Sequence, residues 1–137
     1  MTSKIQPDFD HDFRRGQVGE ELINTFLAAL QGTTIETKTD SRAWETGNVY
    51  IETWQYHGSE DNKYQSGINV SKSDFYCFAA PQGNGFICIK TSDLKEVIRD
   101  TQAPEARQPV WNDSSMASIG RLVKVSDIVK KIGLGKL

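Results

Sequence analysis

Long hydrophobic runs are missing from this 137-residue chain; the apolar stretches Phe26–Leu30 and Tyr76–Ala80 are only strand-length. A membrane-spanning helix needs about 20 apolar residues, and a secretory leader needs a charged and then an apolar segment. The sequence therefore predicts neither a membrane span nor a signal peptide, and it predicts a cytoplasmic protein. Cysteine is scarce: Cys77 and Cys88 are the only two, with no CxxC and no Cys/His cluster. That excludes a disulfide scaffold and a structural zinc site. Both read as small buried apolar side chains on adjacent strands, able to pair across only in an oxidising setting. No internal repeat and no low-complexity tract is present. A strong excess of one charge is also lacking: 16 basic against 18 acidic residues leave a net charge of −2, which argues against a simple nucleic-acid binder.

What is present is enough for one core. The length suits a single domain, and 13 aromatic residues within a 37% hydrophobic composition supply apolar surface to bury. Residues 1–12 are polar and read as an N-terminal arm, leaving 13–137 as one domain. The charge is unevenly spread. Residues 1–80 carry seven basic and twelve acidic groups, whereas from Arg121 onward five basic groups face one Asp. An acidic centre beside a basic flank suits a cation site next to a polyanion surface, and equally suits ordinary solvated charge.

Periodicity orders the elements. Val18, Leu22, Ile23, Phe26, Leu27 and Leu30 recur at three and four residues, predicting a helix over 12–30. Alternation predicts strands over 33–39 and 48–56, with a loop between them and another over 57–67. Residues 75–80 and 86–90 read as a hairpin across Pro-Gln-Gly-Asn-Gly. A helix follows to about Arg99, capped by Thr91 or Ser92. Residues 101–117 read as a long loop, 122–125 as a short strand, and Ser126 to Ile132 as a last helix. The order predicts an α/β domain built on one sheet.

The chemistry concentrates in Thr34 to Glu52. Period two places Glu36, Lys38 and Asp40 on one face, and Asn48, Tyr50, Glu52 and Trp54 on one face of the next strand. Glu20 lies beside the apolar stripe of the first helix. Unpaired carboxylates turned toward a core are costly, and a hard divalent cation removes the penalty. The plain alternative is an ion pair between Glu36 and Lys38 on a solvated face, with Glu20 an exposed helix acid. Asn48 and Gln55 read as substrate contacts or hairpin supports, and Trp54 as packing. Asp10-His11-Asp12 resembles a metal-ligand cluster in composition alone.

Gly16-x-x-x-Glu20, Glu36-x-Lys38-x-Asp40, Thr46-Gly47-Asn48-x-x-x-Glu52, Ser66-Gly67-Ile68 and Ser73-Asp74-Phe75-Tyr76, in that order, resemble the PD-(D/E)XK nuclease superfamily. The nearest resemblance is to its small phage-type and Holliday-junction-resolvase-like members, and it covers about residues 13–90. It implies a restriction-endonuclease-like core, a central mixed sheet of four to five strands flanked by helices. It further implies a metal-dependent DNA endonuclease of a bacterial or phage-infected host cell, with a taste for branched or junction DNA. Glu20, Asp40 and Glu52 would then bind Mg²⁺ or Mn²⁺. The superfamily's Glu-x-Lys is here Glu52-Thr53-Trp54, so the lysine is absent, and Lys38 on the Asp40 face is its expected substitute. Arg14, Arg15, Ser71, Lys72, Arg121 and Lys124 are the expected DNA contacts. One site per chain and two strands to cut imply a homodimer. Two other functions stay open: a catalytically inactive DNA-binding member of the same fold, and an adaptor whose acidic face binds a basic protein.

Overall fold

A computed structural model describes residues 31–82, 85–109 and 116–132. The chain divides into two compact units, Met1–Thr33 and Thr34–Leu137, and the elements below belong to the second. The expected arm, the helix over 12–30 and the Asp10-His11-Asp12 cluster lie outside the described residues.

The described elements alternate in type, and the class is α/β. Strand β1 spans Ile35–Thr39, the short helix α1 Ala43–Thr46, and β2 Asn48–His57. Strands β3 (Tyr64–Gln65), β4 (Phe75–Ala79) and β5 (Phe86–Lys90) follow, then α2 (Thr91–Asp100), β6 (Glu105–Pro109), β7 (Met116–Lys124) and α3 (Val125–Ile132). These strands form two sheets, not the one central sheet expected. One has the order β1-β4-β5 and is mixed, with β1 parallel to β4 and β5 antiparallel to it. The other has the order β3-β2-β7-β6 and is antiparallel throughout. The reason lies between β1 and β2. Asp40 stops β1, α1 turns the chain, and Gly47 ends α1 in the left-handed region at φ 77°, which only glycine adopts freely. Strand β2 then pairs with β7 and β3, leaving β1 to β4.

Strand β4 reads Phe-Tyr-Cys-Phe-Ala and buries its first four residues, as a strand between two neighbours should. Tyr76 and Phe78 from β4, Val49 and Ile51 from β2, Ile89 from β5, Val123 from β7, Leu94 and Val97 from α2 and Ile128 from α3 make one cluster. Each large apolar side chain buried there contributes about 1.5–3 kcal/mol, more than any single polar contact below.

Cys77 and Cys88 stand directly opposite on β4 and β5, and their sulfurs are joined in a disulfide. The expectation of adjacent strands holds. Such bonds form and persist in oxidising compartments, and no helix among the described residues is long and apolar enough to cross a membrane.

Four other expectations need correction. The loop over 57–67 contains 3-10 turns at Glu60–Asn62 and Gly67–Asn69 and the short strand β3. Among the described residues of the loop expected over 101–117, Glu105–Pro109 form β6 and residues 116–117 open a nine-residue β7, in place of a four-residue strand. Helix α2 begins at Thr91 with Lys90 at its cap position and no side-chain cap, so neither Thr91 nor Ser92 caps it. Finally, the register of β2 against β7 slips between Glu52 and Trp54: Glu52 faces Gly120, whereas Trp54 faces Ile119. Thr53 is therefore an extra residue, and Trp54 leaves the Glu52 face.

Candidate functional site

The exit of β1 is organised by one carboxylate. Asp40 Oδ1 accepts the backbone N–H of Arg42 at 3.0 Å and of Ala43 at 3.2 Å, and Oδ2 accepts that of Tyr50 at 3.1 Å. The first two bonds hold the turn into α1, and the third ties it to β2. A carboxylate offers about four acceptor positions. Three are used, so Asp40 is fixed in direction and has one left.

Lys38 and Asp40 line the same open cleft, about 550 Å³, with Arg42, Tyr50 and Gln108 among its walls. The Lys38 ammonium is 2.9 Å from Glu36 Oε1, on a half-exposed surface. This is the ion pair that spacing alone predicts. Such a pair is worth little in stability and leaves the ammonium free to exchange partners.

Glu52 lies two residues beyond Tyr50 on the same face of β2. Two tyrosines report its reach. Burial raises the Tyr50 phenol above its ordinary pKa; a hydrogen bond with Ser118, 2.8 Å away, pulls it back; and the Glu52 charge raises it further. Burial also raises the Tyr76 phenol, a hydrogen bond with Ser71 lowers it, and Glu36, Lys38 and Glu52 all act on it. Asp40 is thus tied to the Tyr50 backbone, Lys38 lines the cleft they share, and the Glu52 charge acts on both tyrosines. Glu20, the third expected ligand, lies outside the described residues. Among the described residues no three His, Cys, Asp or Glu side chains converge as metal ligands.

The bulge at Thr53 shapes the Glu52 end. Its carbonyl accepts the N–H of Ser66 at 2.9 Å and the Asn69 amide at 3.0 Å, and its hydroxyl donates to the Ile119 carbonyl. The extra residue is therefore held by the Ser66–Asn69 turn. That turn approaches closely: a Cβ on Gly67, at φ 52°, would lie 2.1 Å from the Glu52 carbonyl oxygen. Beyond the bulge, Gln55 faces Ser118, while Glu52 faces Gly120. Ser118 and Gly120 are two apart on β7 and point to one side, so Gln55 joins Tyr50 and Glu52 on their face. Trp54 instead sits under the Lys63 ammonium, 4.9 Å from its ring centre, which supports packing for it.

The expected DNA contacts are scattered. Ser71 and Lys72 line a second cleft of about 300 Å³, together with Thr91, Ser92 and Lys95. Arg121 is engaged internally, donating to the Ala103 carbonyl at 2.9 Å and pairing with Glu105 at 3.5 Å. Lys124 is exposed at the end of β7, opposite Asn48. Arg14 and Arg15 lie outside the described residues.

Sequence reasoning gave no role to Arg42 and Gln108. Gln108 sits on β6, where the sequence predicts a loop. Arg42 follows Asp40 in a stretch without periodicity and carried no signal. No family model, no curated protein and no solved structure matches the chain.

Proposed function

We propose that this protein is a metal-dependent DNA endonuclease with a restriction-endonuclease-like core, selective for branched or junction DNA. The observation that carries the reading is a cleft lined by Lys38 and Asp40 beside Tyr50, two residues before Glu52 on the same face of β2, with Asp40 fixed by three backbone donors.

The donor set fits Mg²⁺ or Mn²⁺, which take hard oxygens and commonly only one or two carboxylates with water. Asp40 and Glu52 would hold the ion. When bound, it supplies charge stabilisation at a phosphoryl oxygen and lowers the pKa of water. The chain's own residues do the rest. Asp40 needs no reorganisation to present its remaining lone pair, because the peptide groups of Arg42, Ala43 and Tyr50 already hold it. Lys38 releases Glu36 for a phosphate oxygen, steering the attacking water and balancing charge. Tyr50 keeps its proton at neutral pH, so its phenol adds no negative charge to a cleft that must admit a polyanion. Ser71, Lys72 and Lys124 contact the DNA backbone. Two cuts per junction call for a homodimer.

The Glu36–Lys38 ion pair, with no lysine after Glu52, favours a second reading: a DNA-binding member of the fold that does not cut. Incubation of plasmid and four-way-junction DNA with Mg²⁺ or Mn²⁺ separates the two. The first reading predicts cleavage that chelator stops, a loss of about 100-fold or more in Glu52→Gln, and about 100-fold in Lys38→Ala. Salt-sensitive binding without any cleavage establishes the second. Neither binding nor cleavage overturns both and leaves the protein-binding adaptor.

A further inference from the structure

The bulge at Thr53 decides which side chain stands next to Glu52. In an unbroken strand it would be Trp54. The slipped register turns Trp54 away and brings Gln55 onto the Glu52 face. Gln55 Nε2 donates to Glu52 Oε1 at 3.3 Å, and the exposed Tyr64 donates its hydroxyl to Gln55 Oε1 at 2.9 Å. The direction of this chain follows from the chemistry. An ionised carboxylate only accepts, so Gln55 must present its NH₂ to Glu52, leaving its oxygen for the Tyr64 O–H. Glu52 Oε2 accepts no hydrogen bond from the described residues.

We propose that Gln55 is the positioning residue of the metal site: the bulge places it beside Glu52, and its amide N–H holds one oxygen of that carboxylate. The inference rests on Glu52 being a metal ligand. A hydrogen bond to one oxygen of a ligating carboxylate fixes its direction, and the loss of such outer partners weakens metal binding about 10–100-fold. A neutral amide does this without neutralising the carboxylate. Gln55 on β2 thus orients Glu52, while Lys38 on β1 supplies positive charge.

The test is Mn²⁺ affinity of the full chain, read from the free-ion paramagnetic resonance signal, with near-ultraviolet circular dichroism as the check on folding. Gln55→Leu weakens Mn²⁺ binding about 10-fold. The same change made in Glu52→Gln has no further effect, because it acts through that carboxylate. Tyr64→Phe, at an exposed position that leaves the fold intact, gives a few-fold loss in the same direction, and it carries the test if Gln55→Leu does not fold. An unchanged affinity in folded Gln55→Leu, or in Tyr64→Phe where Gln55→Leu is unfolded, overturns the inference while leaving the nuclease reading standing. So does a loss that persists undiminished in Glu52→Gln. No Mn²⁺ binding by the unaltered protein overturns both.

Discussion

A carboxylate that accepts three backbone N–H groups cannot be removed without consequence for the fold. Asp40→Ala strands the amides of Arg42 and Tyr50, while that of Ala43 keeps its bond to the carbonyl of residue 40, and unpaired donors cost about 1–3 kcal/mol each where water cannot reach them. Loss of activity in Asp40→Ala therefore needs a melting curve beside it, and Glu52→Gln is the cleaner probe. Gly67 is the second residue on which the site depends. An added Cβ meets the Glu52 backbone at 2.1 Å, and φ 52° is strained for any side chain. Gly67→Ala is expected to destabilise by about 2 kcal/mol or more, measured by denaturant unfolding, and to weaken Mn²⁺ binding as Glu52 shifts. At this scale the sequence was readable where chemistry sits on a simple pleat: Glu36, Lys38, Asp40, Tyr50 and Glu52 follow period two. Gln55 was not readable as a neighbour of Glu52. Its position depends on Ser66 and Asn69 bonding the Thr53 carbonyl, a contact that no local spacing encodes.

Elements differ in how openly their sequences declare them. Strands β1 and β2 carry β-branched residues in alternation and were legible. Strand β6 reads Glu-Ala-Arg-Gln-Pro, polar and ending in proline; it is a strand because it lies at a sheet edge against β7, not because its own residues favour one. Exposed ion pairs flank it: Arg107 with Glu60 and Glu105, and Arg121 with Glu105. The helix pair α2 and α3 is tied by Lys131 and Glu96, 2.7 Å apart, above the buried Ile128. Ile128→Ala is expected to cost about 2–5 kcal/mol in unfolding free energy. The ion pair gives a pH signature. Lys131 holds the Glu96 carboxyl below its ordinary pKa, and Glu96 holds the Lys131 ammonium above its own. The Glu96 contribution is therefore full above the ordinary carboxylate pKa and is lost as pH falls through the lowered one; the Lys131 contribution is lost as pH rises through the raised one. Melting temperatures of wild type and Glu96→Gln should differ near neutrality and converge in acid, by a small amount because both groups are exposed.

Across the whole molecule the charge balance conceals the arrangement. A net charge of −2 speaks against nucleic acid, yet Asp40 and Glu52 are charges that a cation would offset. Part of the basic C-terminal stretch is already paired, Arg121 with Glu105 and Lys131 with Glu96, which leaves Lys124 and Lys130 exposed and without an ion pair among the described residues. The α/β class was legible from the order of elements. The split into two sheets was not, because it follows from a turn held by Asp40 and from long-range pairing of β2 with β7. The central claim is a metal held by Asp40 and Glu52 beside Tyr50 of β2. A crystal structure of the protein soaked in Mn²⁺, with anomalous scattering recorded, tests it most directly. The account predicts a manganese peak touching both carboxylates, with Gln55 still bonded to Glu52; manganese bound elsewhere, or Asp40 and Glu52 directed apart with no peak between them, would contradict it.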